Sequence, residues 1–198
     1  MNNARIAKDI ASLFRAPPPD IVLPAEGPGS LLHDISVYVR GPEETPYYGG
    51  YYKLTLKLPA DYPQSAPRAT FITKIFHPNV NYSSGDVCVD TLKKTWSTEI
   101  SICDVLSIIR CLLIEPNPES ALNEDAGKLL LEDFESFEKT ARLMNKVHSL
   151  KEVEGSTEKG DKEAGGVLRD LGDGLNIIGE PGVKKVKPKK KRTGLKRL

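Results

Sequence analysis

The sequence predicts an α+β domain carried by about the first 150 of its 198 residues. Three observations predict it. Tyr52, Leu54, Leu56 and Leu58 alternate with Lys53, Thr55 and Lys57, the period-two pattern of a half-buried antiparallel strand. Ile102, Val105, Leu106, Ile109, Leu112 and Leu113 recur at helical spacing, which marks a helix packed on a core. The order along the chain is helix, strand-rich meander, irregular cysteine-bearing segment, then helices, an α+β arrangement.

Each element has its own justification. Residues 5–15 place Ile6, Ile10, Leu13 and Phe14 on one helical face, and Pro17-Pro18-Pro19 ends that helix. Residues 32–39 put Ile35, Val37 and Val39 on one strand face, and residues 68–74 read as another strand. Gly41-Pro42, Gly49-Gly50 and Pro63 are turn signals between them, so a meander of about four strands is expected. Residues 76–98 are rich in Pro, Asn, Ser and Gly and have little period. Ser101, with Asp104 three residues on, reads as the N-cap of the central helix. Pro116 and Pro118 stop that helix. Asn123 with Glu124 and Asp125 opens further helix, with interruptions, to about residue 148.

The net charge of +1 hides a segregation. Residues 184–198 hold nine of the 28 basic residues and no acid, leaving 19 basic against 27 acidic groups, or −8, in the rest. An acidic body with a basic tail implies a separate partner for the tail. Residues 151–183 contain eight glycines and little apolar period, which reads as a flexible linker. The expected organisation is a domain over 1–150, a linker over 151–183 and a disordered docking tail over 184–198. Three cysteines argue against a disulfide framework and for a reducing compartment. No signal-peptide pattern and no membrane-length apolar run is found, so nucleus and cytoplasm are the expected locations and no membrane partner is expected. The tail could hold nucleic acid loosely, but the acidic body disfavours that function.

The densest set of chemically special residues is His77-Pro78-Asn79, Cys88, Asp90 and Trp96. A cysteine in an irregular segment can be exposed, as a nucleophile must be. It can equally be a small buried core residue, as Cys103 and Cys111 in the central helix illustrate. Structural zinc sites use close cysteine pairs, whereas the gaps here are fifteen and eight residues, so no metal is expected. A Cys-His protease needs a histidine held against the thiol, and His33, His77 and His148 lie in no protease motif.

Four segments in series carry a resemblance. Residues 41–50, Gly-Pro-Glu-Glu-Thr-Pro-Tyr-Tyr-Gly-Gly, come first. His77-Pro78-Asn79 follows, then Gly85, Val87 and Cys88 with Trp96 beyond. Pro116-Asn117-Pro118 leads into Ala121-Leu122-Asn123. Over about residues 3–149 the chain resembles the ubiquitin-conjugating enzymes. The resemblance implies their fold: an N-terminal helix, a four-stranded antiparallel meander, a central helix and C-terminal helices. It implies that an activating enzyme passes ubiquitin to Cys88 as a thioester, which a lysine amine then attacks. No tightly bound cofactor is implied, because ATP is used upstream by the activating enzyme. Asn79 is implied to support the oxyanion or shape the active-site loop, His77 to hold that loop, and Asp90 and Ser120 to flank the incoming lysine. Arg5 and Lys8 resemble activating-enzyme contacts. Eight residues separate Asn79 from Cys88, one more than the usual family spacing, and 81–84 is the turn able to absorb the extra one.

Residues 73–80, 111–114 and 116–124, with the basic tail, are similar to one branch of that family, which elongates chains with the anaphase-promoting complex. That branch implies linkage through the lysine at ubiquitin's eleventh residue. Glu124 would present the acceptor ubiquitin, and Cys111 would face the donor. Gln64 in the loop 62–67 and Ser97-Thr98-Glu99 replace residues that dock RING ligases in many members. Conventional docking is therefore expected to be weak, and Leu195, Lys196, Arg197 and Leu198 are the expected ligase anchor.

Overall fold

The computed structural model describes residues 3–25, 33–88, 92 and 96–153. The linker and tail expected over 151–198 fall almost wholly outside the described residues, as do Leu32 and Asp90.

Helix α1 spans Asn3–Arg15 and buries Ile6, Asp9 and Leu13. Phe14, expected on the same face, is exposed. Asp9 takes an inner position because its carboxylate is fully partnered, as described below. Four antiparallel strands follow in sequence order: β1 (Ile21–Val22), β2 (Asp34–Arg40), β3 (Tyr51–Lys57) and β4 (Arg68–Phe71). The register pairs Val37 with Leu54 and Leu56 with Ala69. This puts Ile35, Val37, Val39, Tyr52, Leu54 and Leu56 on the buried face, as the alternation predicts. The outer face is polar, with the Ser36 and Thr55 hydroxyls in contact across the strands. β4 ends before the expected residue 74 because the amides of Ile72 and Thr73 both turn back to the Lys53 carbonyl.

Helix α2 (Ile102–Ile114) begins with a capping box. The Ser101 side chain accepts the Asp104 amide, and the Asp104 carboxylate accepts the Ser101 amide. Its buried row is the one read from the sequence: Ile102, Val105, Leu106, Ile109, Leu112 and Leu113. These join the sheet's inner face in one apolar cluster. A 3-10 turn (Pro118–Ser120) leads to α3 (Glu124–Glu132) and α4 (Phe134–His148). Asp133 ends α3 and caps α4, accepting the Ser136 amide, which is the interruption expected in the C-terminal helical stretch. Among the described residues no helix is long and apolar enough to cross a membrane.

Candidate active site

The site is built on the irregular segment between β4 and α2. His77 is fully buried. Its Nδ1 accepts the Asn79 amide at 3.0 Å, and its Nε2 lies 2.8 Å from the Leu112 carbonyl. A ring that accepts at Nδ1 and donates at Nε2 is neutral. Burial pushes its pKa down to about 4, against a smaller upward pull from the Leu112 carbonyl. His77 therefore ties the last turn of α2 to the segment that leads to Cys88.

Asn79 is also fully buried. Its Nδ2 donates to the Asn117 carbonyl at 2.6 Å and to the Ser120 carbonyl at 3.0 Å. Its Oδ1 accepts the Asn117 amide at 2.8 Å. Both amide hydrogens are thus occupied, and none is left for an oxyanion. Of its two implied roles the structure displays loop shaping: Asn79 clamps the 3-10 turn beside Cys88. Ser120 enters this arrangement through its backbone carbonyl, not its hydroxyl. The neighbouring Pro78 carbonyl accepts the amides of Leu122 and Asn123, so the start of α3 is fixed to the same segment.

Cys88 follows directly from this frame. Its amide donates to the Asn79 carbonyl at 2.8 Å, and Val80 and Val87 form a bridge between the same two stretches. Residues 81–86 close the loop. The Asn81 side chain accepts the amides of Ser83 and Ser84, the Asn81 amide donates to the Asp86 carbonyl, and the Gly85 amide returns to Asn81. Across this turn Asn79 stays paired with Cys88.

Of the two readings of Cys88, an exposed nucleophile or a small buried residue, the structure displays burial, with only 4% exposed. Cys88 does not sit on an open loop, because its amide is bonded to the Asn79 carbonyl next to the Val80–Val87 bridge. Cys103 is half-buried, its thiol pKa pushed up first by burial and then by the Asp104 and Asp9 charges, whereas Cys111 is exposed on α2. Glu124 is exposed as the first residue of α3.

Arg5 is held by its own chain. Its Nε pairs with Asp9 at 3.0 Å, and its two terminal nitrogens donate to the carbonyls of Thr98, Glu99 and Ile100. The guanidinium is therefore engaged within the chain, and of the expected pair Lys8 alone is exposed. The Tyr62 hydroxyl and the Trp96 indole complete this face. Tyr62 donates to Asp9, and Trp96 donates to the Pro63 carbonyl at 3.1 Å. Asp90, Leu195, Lys196, Arg197 and Leu198 lie outside the described residues. Sequence reasoning missed Asp9, Tyr62 and Asn117. The one available signal was the Asn between two prolines at 116–118, a rigid frame for a backbone clamp.

The family model described as ubiquitin-conjugating enzyme matches residues 5–145. The chain belongs to the ubiquitin-conjugating enzyme family, and its fold and enzyme class are those of that family. It is 44% identical over 172 residues to ubiquitin-conjugating enzyme E2 S of Aquarana catesbeiana, covering 86% of this chain and 80% of that one. It is 48% identical over 144 residues to the protein of the same description from Homo sapiens, covering 72% of this chain and 63% of that one. Among solved structures, it resembles the E2 domain of a Toxoplasma gondii ubiquitin conjugating enzyme. That match has a TM-score of 0.66 and 30% identity, over 76% of this chain and all of that domain.

Proposed function

We propose that Cys88 accepts ubiquitin from an activating enzyme, which uses ATP upstream, and that the chain then elongates lysine-eleven-linked ubiquitin chains with the anaphase-promoting complex. The observation that carries the choice of Cys88 is its amide bond to the Asn79 carbonyl, which sets this cysteine against the Asn79 clamp.

Two acyl transfers make up the reaction. In the first, the Cys88 thiolate attacks the thioester carbonyl on the activating enzyme, the new S–C bond forms and the activating enzyme's thiolate leaves. In the second, a deprotonated lysine amine attacks the Cys88 thioester. The C–N bond forms, the C–S bond breaks and the Cys88 thiolate leaves. A thioester is already a reactive acyl donor, so the residues mainly position and support charge. Asn79 holds the 3-10 turn that carries Ser120; Ser120 and Asp90 are assigned to the incoming amine, and Glu124 to the acceptor ubiquitin. Cys111 marks the donor-ubiquitin face of α2. Loading requires the nearly closed Cys88 to be uncovered when the partner docks.

The linkage and ligase reading is supported by the likeness to the E2 S proteins and by the basic tail. Leu195 and Leu198 anchor that tail in apolar pockets of the ligase, and Lys189 to Arg192 suit a protein present in nucleus and cytoplasm. A long linker lets the tail stay docked while the body moves, which raises the local concentration.

The test is a non-reducing gel after incubation with activating enzyme, ATP and ubiquitin. A reductant-sensitive adduct, lost in Cys88→Ser, is expected; an adduct that survives this substitution moves the nucleophile elsewhere. Mass spectrometry of the chains then reads the linkage. Removing residues 195–198 should leave loading intact and abolish ligase-dependent extension.

A further inference from the structure

Asp86 stands two residues before Cys88 and gathers four side-chain hydrogen bonds. Arg68 on β4 reaches it with Nε at 3.1 Å and a terminal nitrogen at 2.5 Å. The Thr70 hydroxyl donates at 3.0 Å and the Ser84 hydroxyl at 2.9 Å. The Asp86 backbone is held as well. Its carbonyl accepts the Asn81 amide, its amide donates to Ser84 Oγ, and it bridges to Thr70. On either side, Phe71 donates to the Gly85 carbonyl and Val87 to the Ala69 carbonyl.

An isolated ion pair with side chains 64% and 22% exposed contributes little to stability. This one differs in geometry, since a bidentate guanidinium and two hydroxyls converge on one carboxylate. That carboxylate joins three things: the outer edge of the sheet, the turn over residues 81–84, and the stretch that leads to Cys88. The backbone pairing Cys88 to Asn79 begins on the far side of the same turn.

From this convergence we infer that Asp86, clamped by Arg68, is a positioning residue for Cys88. It fixes the height of the nucleophile strand relative to Asn79, and so places the thioester carbonyl for the incoming amine. The inference rests on Cys88 being the loaded residue, and it adds a role outside the asparagine clamp. The Asp86 cluster restrains the turn 81–84 at the end nearer Cys88.

The test uses the full chain charged with ubiquitin, separated from activating enzyme and chased with free lysine. Discharge is expressed per loaded molecule, so any unfolded fraction drops out. Asp86→Asn should lower the maximal discharge rate roughly three- to tenfold and leave the KM for lysine unchanged. Arg68→Ala should do the same, and the double variant should be no slower than either single one, because both remove one clamp. Wild-type discharge in Asp86→Asn, a changed KM at constant maximal rate, or multiplied effects in the double variant would each overturn the inference.

A second readout needs no ubiquitin. Hydrogen exchange at the Cys88 and Val87 amides should speed up about tenfold in Asp86→Asn while the α2 amides stay protected. Unchanged exchange at Cys88 would overturn the clamp itself. Failure of the wild-type chain to load would instead remove the proposed function and leave this readout standing.

Discussion

The Tyr62 hydroxyl donates to the Asp9 carboxylate at 2.5 Å, joining the loop before Pro63 to the inner face of α1. The same carboxylate accepts Arg5 Nε at 3.0 and 3.1 Å. A carboxylate only 4% exposed is tolerable because its oxygens are met by a cation and a hydroxyl. Burial, followed by the hydrogen bond to Asp9, holds the Tyr62 phenol well above its ordinary pKa, so it remains a donor.

Tyr62→Phe removes one donor from a buried charge. The expected loss of unfolding free energy is roughly 1–3 kcal/mol. Urea denaturation checks it, with an unchanged m value showing that the folded state stays as compact. Asp9→Ala should lose more, because it strands the Tyr62 hydroxyl and also removes the partner of Arg5 Nε.

His77 gives a pH prediction with a definite sign. Its folded pKa of about 4 lies below the ordinary 6.5, so the unfolded chain binds the extra proton first as pH falls. The contribution is fully present above pH 6.5 and is lost progressively as pH drops towards 4, amounting to roughly 3 kcal/mol. In the folded protein, the ring nitrogen resonances should report a neutral Nε2–H tautomer from pH 8 down to 5. A titration midpoint near 6.5 would contradict the burial argument.

Asn79→Asp replaces a donor with a carboxylate oxygen facing the Asn117 and Ser120 carbonyls. Acceptor against acceptor releases the 3-10 turn. Discharge of the loaded enzyme to lysine should fall by about a hundredfold, while loading from the activating enzyme persists. Equal losses in both steps would assign Asn79 to general folding.

Gly85 and Gly49 form an internal control. Both have positive φ, at 75° and 76°. A Cβ at Gly85 would sit 2.0 Å from the Phe71 carbonyl oxygen, whereas one at Gly49 meets nothing within 4 Å. Gly49→Ala should therefore cost only the backbone term, about 1–2 kcal/mol. Gly85→Ala should cost clearly more and should displace the turn ahead of Cys88. Thermal melts of the two variants compare them directly.

The parts legible in the sequence were those in which one element announces itself. β2 and β3 alternate, α2 has an unbroken apolar row behind a Ser101 cap, and Asn123 opens α3. β1 has two residues, too few to show a period. Asp9 looked like a solvent-facing helix charge because its justification, Tyr62, lies 53 residues away. The Asn79 clamp joins residues 38 and 41 apart through backbone carbonyls, which carry no side-chain signature. Cys88 could be picked out by resemblance. Its burial stayed one of two open readings, since pairing with Asn79 depends on how a nonperiodic loop folds back.

That burial bears on the chemistry of the idle enzyme. Oxidation of a thiol to sulfenic acid depends on access as well as on thiolate character. A sulfur with so little contact with water meets peroxide and stray disulfides rarely, whereas Cys111 on the open flank of α2 meets them first. The chain thus carries a surface thiol, Cys111, that can react with oxidants ahead of Cys88.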